Sequence, residues 1–124
     1  PEGHECDAEI VAHAKKLAEQ TGATIVESHD VSAANGADVI YADTWLSMGD
    51  ETPLADIKAK FMPYQVNEAL MESTGASYVM HCQPAHRDLE ITGSLIDSDK
   101  SLLMQQAENR MHGQNAILTQ LLSA

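Results

Sequence analysis

Apolar residues recur in two rhythms along this chain, and the rhythms predict its elements. Over residues 7–20, Ile10, Ala14, Leu17 and Ala18 fall at i, i+4, i+7 and i+8, one face of a helix. Asp7 suits its N-cap and Gly22 its left-handed end. Residues 24–27 (Thr-Ile-Val-Glu) predict a short strand, and 30–35 a helical turn stopped by Gly36. The run Asp38-Val39-Ile40-Tyr41-Ala42-Asp43 predicts a second strand, apolar enough to be covered on both faces. Residues 45–53 read as a loop, and 54–60 and 65–73 as helices separated by Pro63. Residues 61–67 (Phe-Met-Pro-Tyr-Gln-Val-Asn) read as a structural segment packing helix to helix. Ser77-Tyr78-Val79-Met80-His81-Cys82 predicts a third strand ended by Pro84. Residues 101–104 fit strand or loop equally. From 105 to 122 the pattern is helical again, with Ala107, Met111, Leu118, Leu121 and Leu122 on one face and Gly113 inside it at a cost of about 1 kcal/mol relative to alanine.

Short strands alternating with helices predict an α/β fold with a parallel sheet. In such sheets ligands gather beyond the carboxyl ends of the strands. The second predicted strand ends at Asp43 and the third at His81-Cys82, so both polar ends are expected on one edge.

Composition narrows the reading. With 124 residues and 44% hydrophobic content the chain fits one domain with a real core. Nineteen acidic residues against seven basic give a net charge of −12, which argues against nucleic acid and anionic membranes as partners. No stretch approaches the ~20 apolar residues of a membrane span, and no secretory signal opens the chain. Cys6 and Cys82 are therefore expected as free thiols of a reducing compartment. The chain begins at Pro1 rather than at methionine, as expected of a processed protein or a piece of a longer one.

Several residues at the predicted edge could carry chemistry, each with a plainer alternative. Asp43 could pair with a ligand ammonium or cap the following turn. Ser47 and Met48 lie in a glycine-containing loop that could offer backbone groups to a ligand or simply turn. Cys82 is either a small core residue or, beside His81, a thiol polarised toward thiolate. His81, Cys82 and His86 form a loose cluster, but their spacing fits no closed zinc pattern and no metal is assigned. Arg110 falls about 60° from the centre of the last helix's apolar stripe, where its stem could pack while its guanidinium meets an anion or an acidic neighbour. No glycine-rich phosphate loop is present.

Taken together, Asp43-Thr44-Trp45-Leu46-Ser47-Met48-Gly49, Phe61-Met62-Pro63-Tyr64-Gln65-Val66-Asn67, Met80-His81-Cys82-Gln83-Pro84-Ala85-His86-Arg87 and Gln106-Ala107-Glu108-Asn109-Arg110 closely resemble the ornithine carbamoyltransferases, in that family's order and over nearly the whole chain. The resemblance implies transfer of a carbamoyl group from carbamoyl phosphate to the δ-amine of L-ornithine, giving citrulline and phosphate, with no metal or organic cofactor. It implies a three-layer, Rossmann-like α/β domain with a parallel sheet, truncated relative to the family: residues 1–124 as part of the ornithine-binding domain. The family's S-x-R-T-R and H-P-x-Q motifs, which belong to its carbamoyl-phosphate domain, do not occur in this sequence. The family's domain normally opens with a strand, a G-D-x-x-N segment and a helix that do not occur in this sequence, and the strands missing by that comparison lie mid-sheet, so the remaining strands are not all expected to be neighbours. The usual assembly is a trimer, and the expected compartment is the cytoplasm.

By the same resemblance, Asp43 pairs with the α-ammonium of ornithine, and Ser47 and the backbone at Met48 bind its α-amino and carboxylate end. Cys82 stands near the δ-amine in a proton-accepting role and also borders the carbamoyl phosphate. Gln83 occupies a position that is commonly leucine, its backbone carbonyl facing the carbamoyl nitrogen, and Arg110 binds the carbamoyl phosphate. A relative using another amine, such as putrescine, would not need the Ser47-Met48 loop in this form. The cysteine in H-C-x-P separates the chain from aspartate carbamoyltransferase. A non-enzymatic α/β binding module is the remaining alternative.

Overall fold

The computed structural model describes residues 1–46, 49 and 51–123. The chain divides into two compact units, residues 1–33 and 34–124.

In the first unit, helix α1 spans Ala8–Thr21. Asp7 caps it, its Oδ1 accepting the N–H groups of Glu9 at 2.9 Å and Ile10 at 3.2 Å. Gly22 ends it at φ 75°, a left-handed conformation that glycine adopts without Cβ strain. The apolar stripe is not buried as a whole: Ala18 is buried, but Ile10 and Leu17 are exposed. The strand predicted at 24–27 does not form. A strand exists only through a hydrogen-bonded neighbour, and 24–27 makes no ladder among the described residues; Val26 is 68% exposed. A 3-10 turn follows at Val31–Ala34, as the pattern predicts, and Gly36 ends it.

The second unit holds the sheet. Strands β1 (Val39–Ala42) and β2 (Tyr78–His81) pair in parallel, Val39 opposite Tyr78 and Ala42 opposite His81. The two strand-forming runs that survive are thus direct neighbours. Ser101 adds a third lane: the Val79 N–H donates to the Lys100 carbonyl and the Leu102 N–H to the Val79 carbonyl, both at 2.9 Å. The ambiguous segment around 101 is therefore extended before it turns into a helix.

β2 matches the expectation of a covered strand only in part, and β1 does not: Val79 is fully buried, while Val39 and Tyr41 are exposed. Helices, not strands, cover the faces of a parallel sheet, and Val39 and Tyr41 lie on one face of β1 that the described helices leave exposed. Between the strands run α2 (Leu54–Phe61), a 3-10 turn at Met62–Tyr64 containing Pro63, and α3 (Glu68–Thr74). The helix predicted from 65 starts later, because Asn67 caps it through the Leu70 N–H at 3.0 Å, and because Val66 pairs in extended form with Ile91. Trp45, in the loop after β1, packs against Phe61 with ring centroids 5.5 Å apart and the ring planes tilted by 39°.

Helix α4 (Gly93–Ile96) and helix α5 (Leu103–Leu122) complete the unit. Ala42, Val66, Met71, Ala76, Val79, Ile91, Leu95 and Leu103 form its core. Only the first residue of α5, Leu103, is buried; Met111, Leu118, Leu121 and Leu122 of the predicted stripe are exposed, as is Ile117 off it. No described helix is long and apolar enough to cross a membrane.

Candidate functional site

Parallel pairing sets the site. Because Ala42 lies opposite His81 in register, the next residue on each strand, Asp43 and Cys82, leaves the sheet at the same edge. The Cys82 N–H still reaches the Ala42 carbonyl at 3.3 Å, the last rung of the ladder. The two side chains then meet: the Cys82 thiol donates to Asp43 Oδ1 at 2.8 Å. The same oxygen accepts the Thr44 N–H at 2.7 Å. Oδ2 takes no hydrogen bond from the described residues. The capping reading and the ligand reading of Asp43 are thus compatible, because the two roles fall on different oxygens.

Electrostatics follow from that contact. The hydrogen bond from Cys82 holds the Asp43 carboxyl below the usual carboxylate range, helped by the Thr44 N–H and His81 and opposed by partial burial. Cys82 moves the other way: burial pushes its thiol up, and the bond to Asp43 adds to the rise. At this edge the cysteine is a protonated donor, and the aspartate is the anion.

Below the pair lies a histidine fixed on both sides. The ring of His81 is fully buried; its Nδ1 accepts the Gln83 N–H at 2.8 Å, so Nε2 carries the proton toward Glu90 Oε1 at 3.1 Å. Glu90 Oε1 also accepts the His86 backbone N–H at 2.5 Å, with the His86 ring nitrogen at 3.4 Å. Glu90 Oε2 is buried without a partner among the described residues. The loose cluster of His81, Cys82 and His86 thus resolves into two groups: the histidines converge on a carboxylate, and the thiol turns to Asp43. Glu90 was invisible to sequence reasoning. An acid in a chain with 19 of them carries no local signal, and only the Val66–Ile91 pairing places it under the strand end.

The turn after β2 is tight. Gln83 sits at φ 62°, a left-handed conformation uncommon for a residue with a Cβ, and its bond to Pro84 is cis. Its N–H is held by His81 Nδ1. Gln83 lines a cleft of about 340 Å³ together with His81, Cys82, Gln106, Arg110 and Met111. The cleft runs from the carboxyl end of β2 along α5. Arg110 therefore reaches it from the edge of the apolar stripe, as the helical phase predicts. Arg110 is exposed and forms no ion pair among the described residues, whereas Arg87, in the segment after β2, is engaged by both Asp97 oxygens at 2.6 and 2.8 Å.

Asp43, Cys82 and Gln83 thus come together at one strand edge, and Arg110 shares the cleft with Cys82 and Gln83. Ser47 and Met48, singled out in the loop after Asp43, lie outside the described residues. Gln106 and Tyr41, which join α5 to the strands, also escaped sequence reasoning, because a glutamine and a tyrosine 65 positions apart have no shared periodicity to reveal them.

The chain is similar to known proteins along nearly its whole length. The family model for "Aspartate/ornithine carbamoyltransferase, Asp/Orn binding domain" matches residues 1–121. An ornithine carbamoyltransferase of Shewanella oneidensis is 55% identical over 123 residues, which cover 99% of this chain and 41% of that protein. A catabolic ornithine carbamoyltransferase of Thermoplasma volcanium is 41% identical, covering 99% of this chain and 41% of that protein. Among solved structures, the ornithine carbamoyltransferase of Pyrococcus furiosus superposes with a TM-score of 0.88 at 42% identity, over 96% of this chain and 39% of that one. The chain thus spans about two-fifths of the length of the relatives it matches.

Proposed function

The chain belongs to the aspartate/ornithine carbamoyltransferase family, within its Asp/Orn binding domain, and from that premise we propose that it is the amine-binding part of an ornithine carbamoyltransferase. The full-length enzyme transfers the carbamoyl group of carbamoyl phosphate to the δ-amine of L-ornithine, giving L-citrulline and phosphate. A carbamoyl-phosphate domain supplied by the rest of a longer chain completes the site. The resemblance extends the proposal to a cytoplasmic homotrimer acting in arginine biosynthesis.

The observation that carries the reading is the contact of Asp43 with Cys82 at the ends of adjacent parallel strands. A carboxylate held ionised, with Oδ2 open among the described residues, suits the α-ammonium of ornithine. Ser47 and the Met48 backbone complete the α-amino and carboxylate end of that subsite. The thiol beside the carboxylate suits the δ-amine, which must be neutral to attack the carbamoyl carbon. An ammonium paired with Asp43 offsets the negative charge that helps hold the thiol up. Substrate binding thereby brings Cys82 closer to accepting the proton that the amine loses. Arg110 supplies positive charge toward the carbamoyl phosphate, and the Gln83 carbonyl faces the carbamoyl nitrogen.

Citrulline formation from L-ornithine and carbamoyl phosphate by the full-length enzyme is the test. Turnover with putrescine but not ornithine, or with neither, overturns the assignment. The 124-residue chain by itself should form no citrulline above a buffer control, because the S-x-R-T-R and H-P-x-Q motifs lie outside it.

A further inference from the structure

Gln106 stands on α5 one helical turn before Arg110, and its amide is used at both ends. Its Oε1 accepts the His81 backbone N–H at 3.2 Å, and its Nε2 donates to the Tyr41 hydroxyl. The first bond replaces a missing rung of sheet. On that edge of β2 the Val79 N–H is met by the Lys100 carbonyl. Two residues further on, the His81 N–H points the same way, but the neighbouring chain has already turned into α5 at Leu103. The side-chain oxygen of Gln106 takes the place of the main-chain carbonyl that is no longer there. The second bond crosses to β1, where Tyr41 lies two residues before Asp43. One side chain thus links α5 to the backbone of β2 and, through the Tyr41 side chain, to β1, the elements that carry or lead into Arg110, Cys82 and Asp43.

We propose that Gln106 is a positioning residue, which sets the distance between Arg110 on α5 and the Asp43–Cys82 pair at the strand ends. Helix α5 needs such a fastening, because beyond Leu103 its residues are not buried in the core. Its lateral position along the cleft therefore rests on few contacts, and a polar link to both strands fixes it where apolar packing does not. The assignment of carbamoyl transfer above is assumed only for what the positioned groups do. The placement itself is tested separately from activity.

Two variants separate the links. Gln106→Met keeps the length and apolar stem but loses both bonds, whereas Tyr41→Phe loses only the one to β1. In the full-length enzyme, Gln106→Met should raise KM for carbamoyl phosphate about tenfold while KM for ornithine stays within about twofold, and Tyr41→Phe should raise the former about threefold. A general loosening of the fold would move both Michaelis constants together. In a Cys6→Ser background, iodoacetamide should alkylate Cys82 about threefold faster in Gln106→Met, because the His81–Cys82 backbone is no longer held. If the wild type transfers no carbamoyl group, the functional reading fails and the alkylation ratio alone decides the placement. The proposal is overturned if both kinetic constants rise equally, or if alkylation stays within twofold of wild type. Should Gln106→Met fail to fold, an unchanged carbamoyl phosphate KM in Tyr41→Phe overturns it instead.

Discussion

The two sides of the cleft are built on different principles. At the strand ends the side chains are held by partners within the chain: thiol to carboxylate, histidine to backbone and Glu90, the Gln83 N–H to His81. Along α5 the opposite holds. Arg110 is exposed and forms no ion pair among the described residues, and the stripe beside it at Met111 and Leu118 faces solvent. The strand edge is preorganised before any ligand arrives, which in the proposed enzyme suits a small amine met by fixed acceptors. The helical side presents charge and apolar surface that need something further to cover them. In the proposed enzyme that is where an anion and the remainder of the protein belong.

Removing the cation from the helical side should have the largest effect. Arg110→Met in the full-length enzyme deletes a charge-assisted contact worth about 1.5–3 kcal/mol, so the carbamoyl phosphate KM should rise about 10- to 150-fold, with ornithine affected far less. Steady-state kinetics with each substrate varied in turn checks it. An unchanged carbamoyl phosphate KM would make Arg110 a surface cation and leave the helical side without a polar role.

A smaller loss is expected from the strand edge. Asp43→Asn keeps the shape but removes the charge that pairs with an ammonium. Asp43 is exposed, so screening limits the effect to about tenfold in ornithine KM, with carbamoyl phosphate within twofold. Equal losses for both substrates would mean that the substitution disturbs folding instead.

The same contrast explains which parts were legible in the sequence. β1 and β2 announce themselves as apolar runs, and their polar ends at Asp43 and Cys82 fall on one edge because parallel strands must point the same way. The caps Asp7, Gly22 and Asn67 obey local rules, although Asn67 was masked by an apolar pattern that suggested an earlier helix start. The strand predicted at 24–27 failed because strand formation is not local: Ile25 and Val26 have the right composition, but they have no ladder partner among the described residues. Glu90, Tyr41 and Gln106 were hidden for a related reason. Their meaning comes from partners 9, 65 and 25 residues away, and no short pattern encodes such distances. The thiol's protonation was equally beyond reach: the sequence left a core thiol and one polarised beside His81 both open, and only the fold brings the Asp43 carboxylate to 2.8 Å, nearer than His81 Nδ1 at 3.7 Å.

That last contact yields the mildest and most direct test. Cys82 is held above the ordinary thiol value of about 8.5, first by burial and then by its bond to Asp43. Its contribution to stability is therefore intact below that value and is lost as pH rises through the higher folded-state one. Asp43 is depressed, so its contribution is present above about pH 4 and is lost as pH falls through its lowered value. Between these limits the protonated thiol and ionised carboxylate coexist, and the strand edge stays closed on itself. In a Cys6→Ser background, the pH profile of Cys82 alkylation should thus have its inflection above about 8.5. Asp43→Asn should move it down, because the negative neighbour is gone while burial remains. L-ornithine should move the wild-type profile in the same direction, since its ammonium offsets the same charge. An inflection at or below the ordinary thiol value would mean that Cys82 is not the donor in the pair, and the distinction between a closed strand edge and an open helical side would lose its chemical basis.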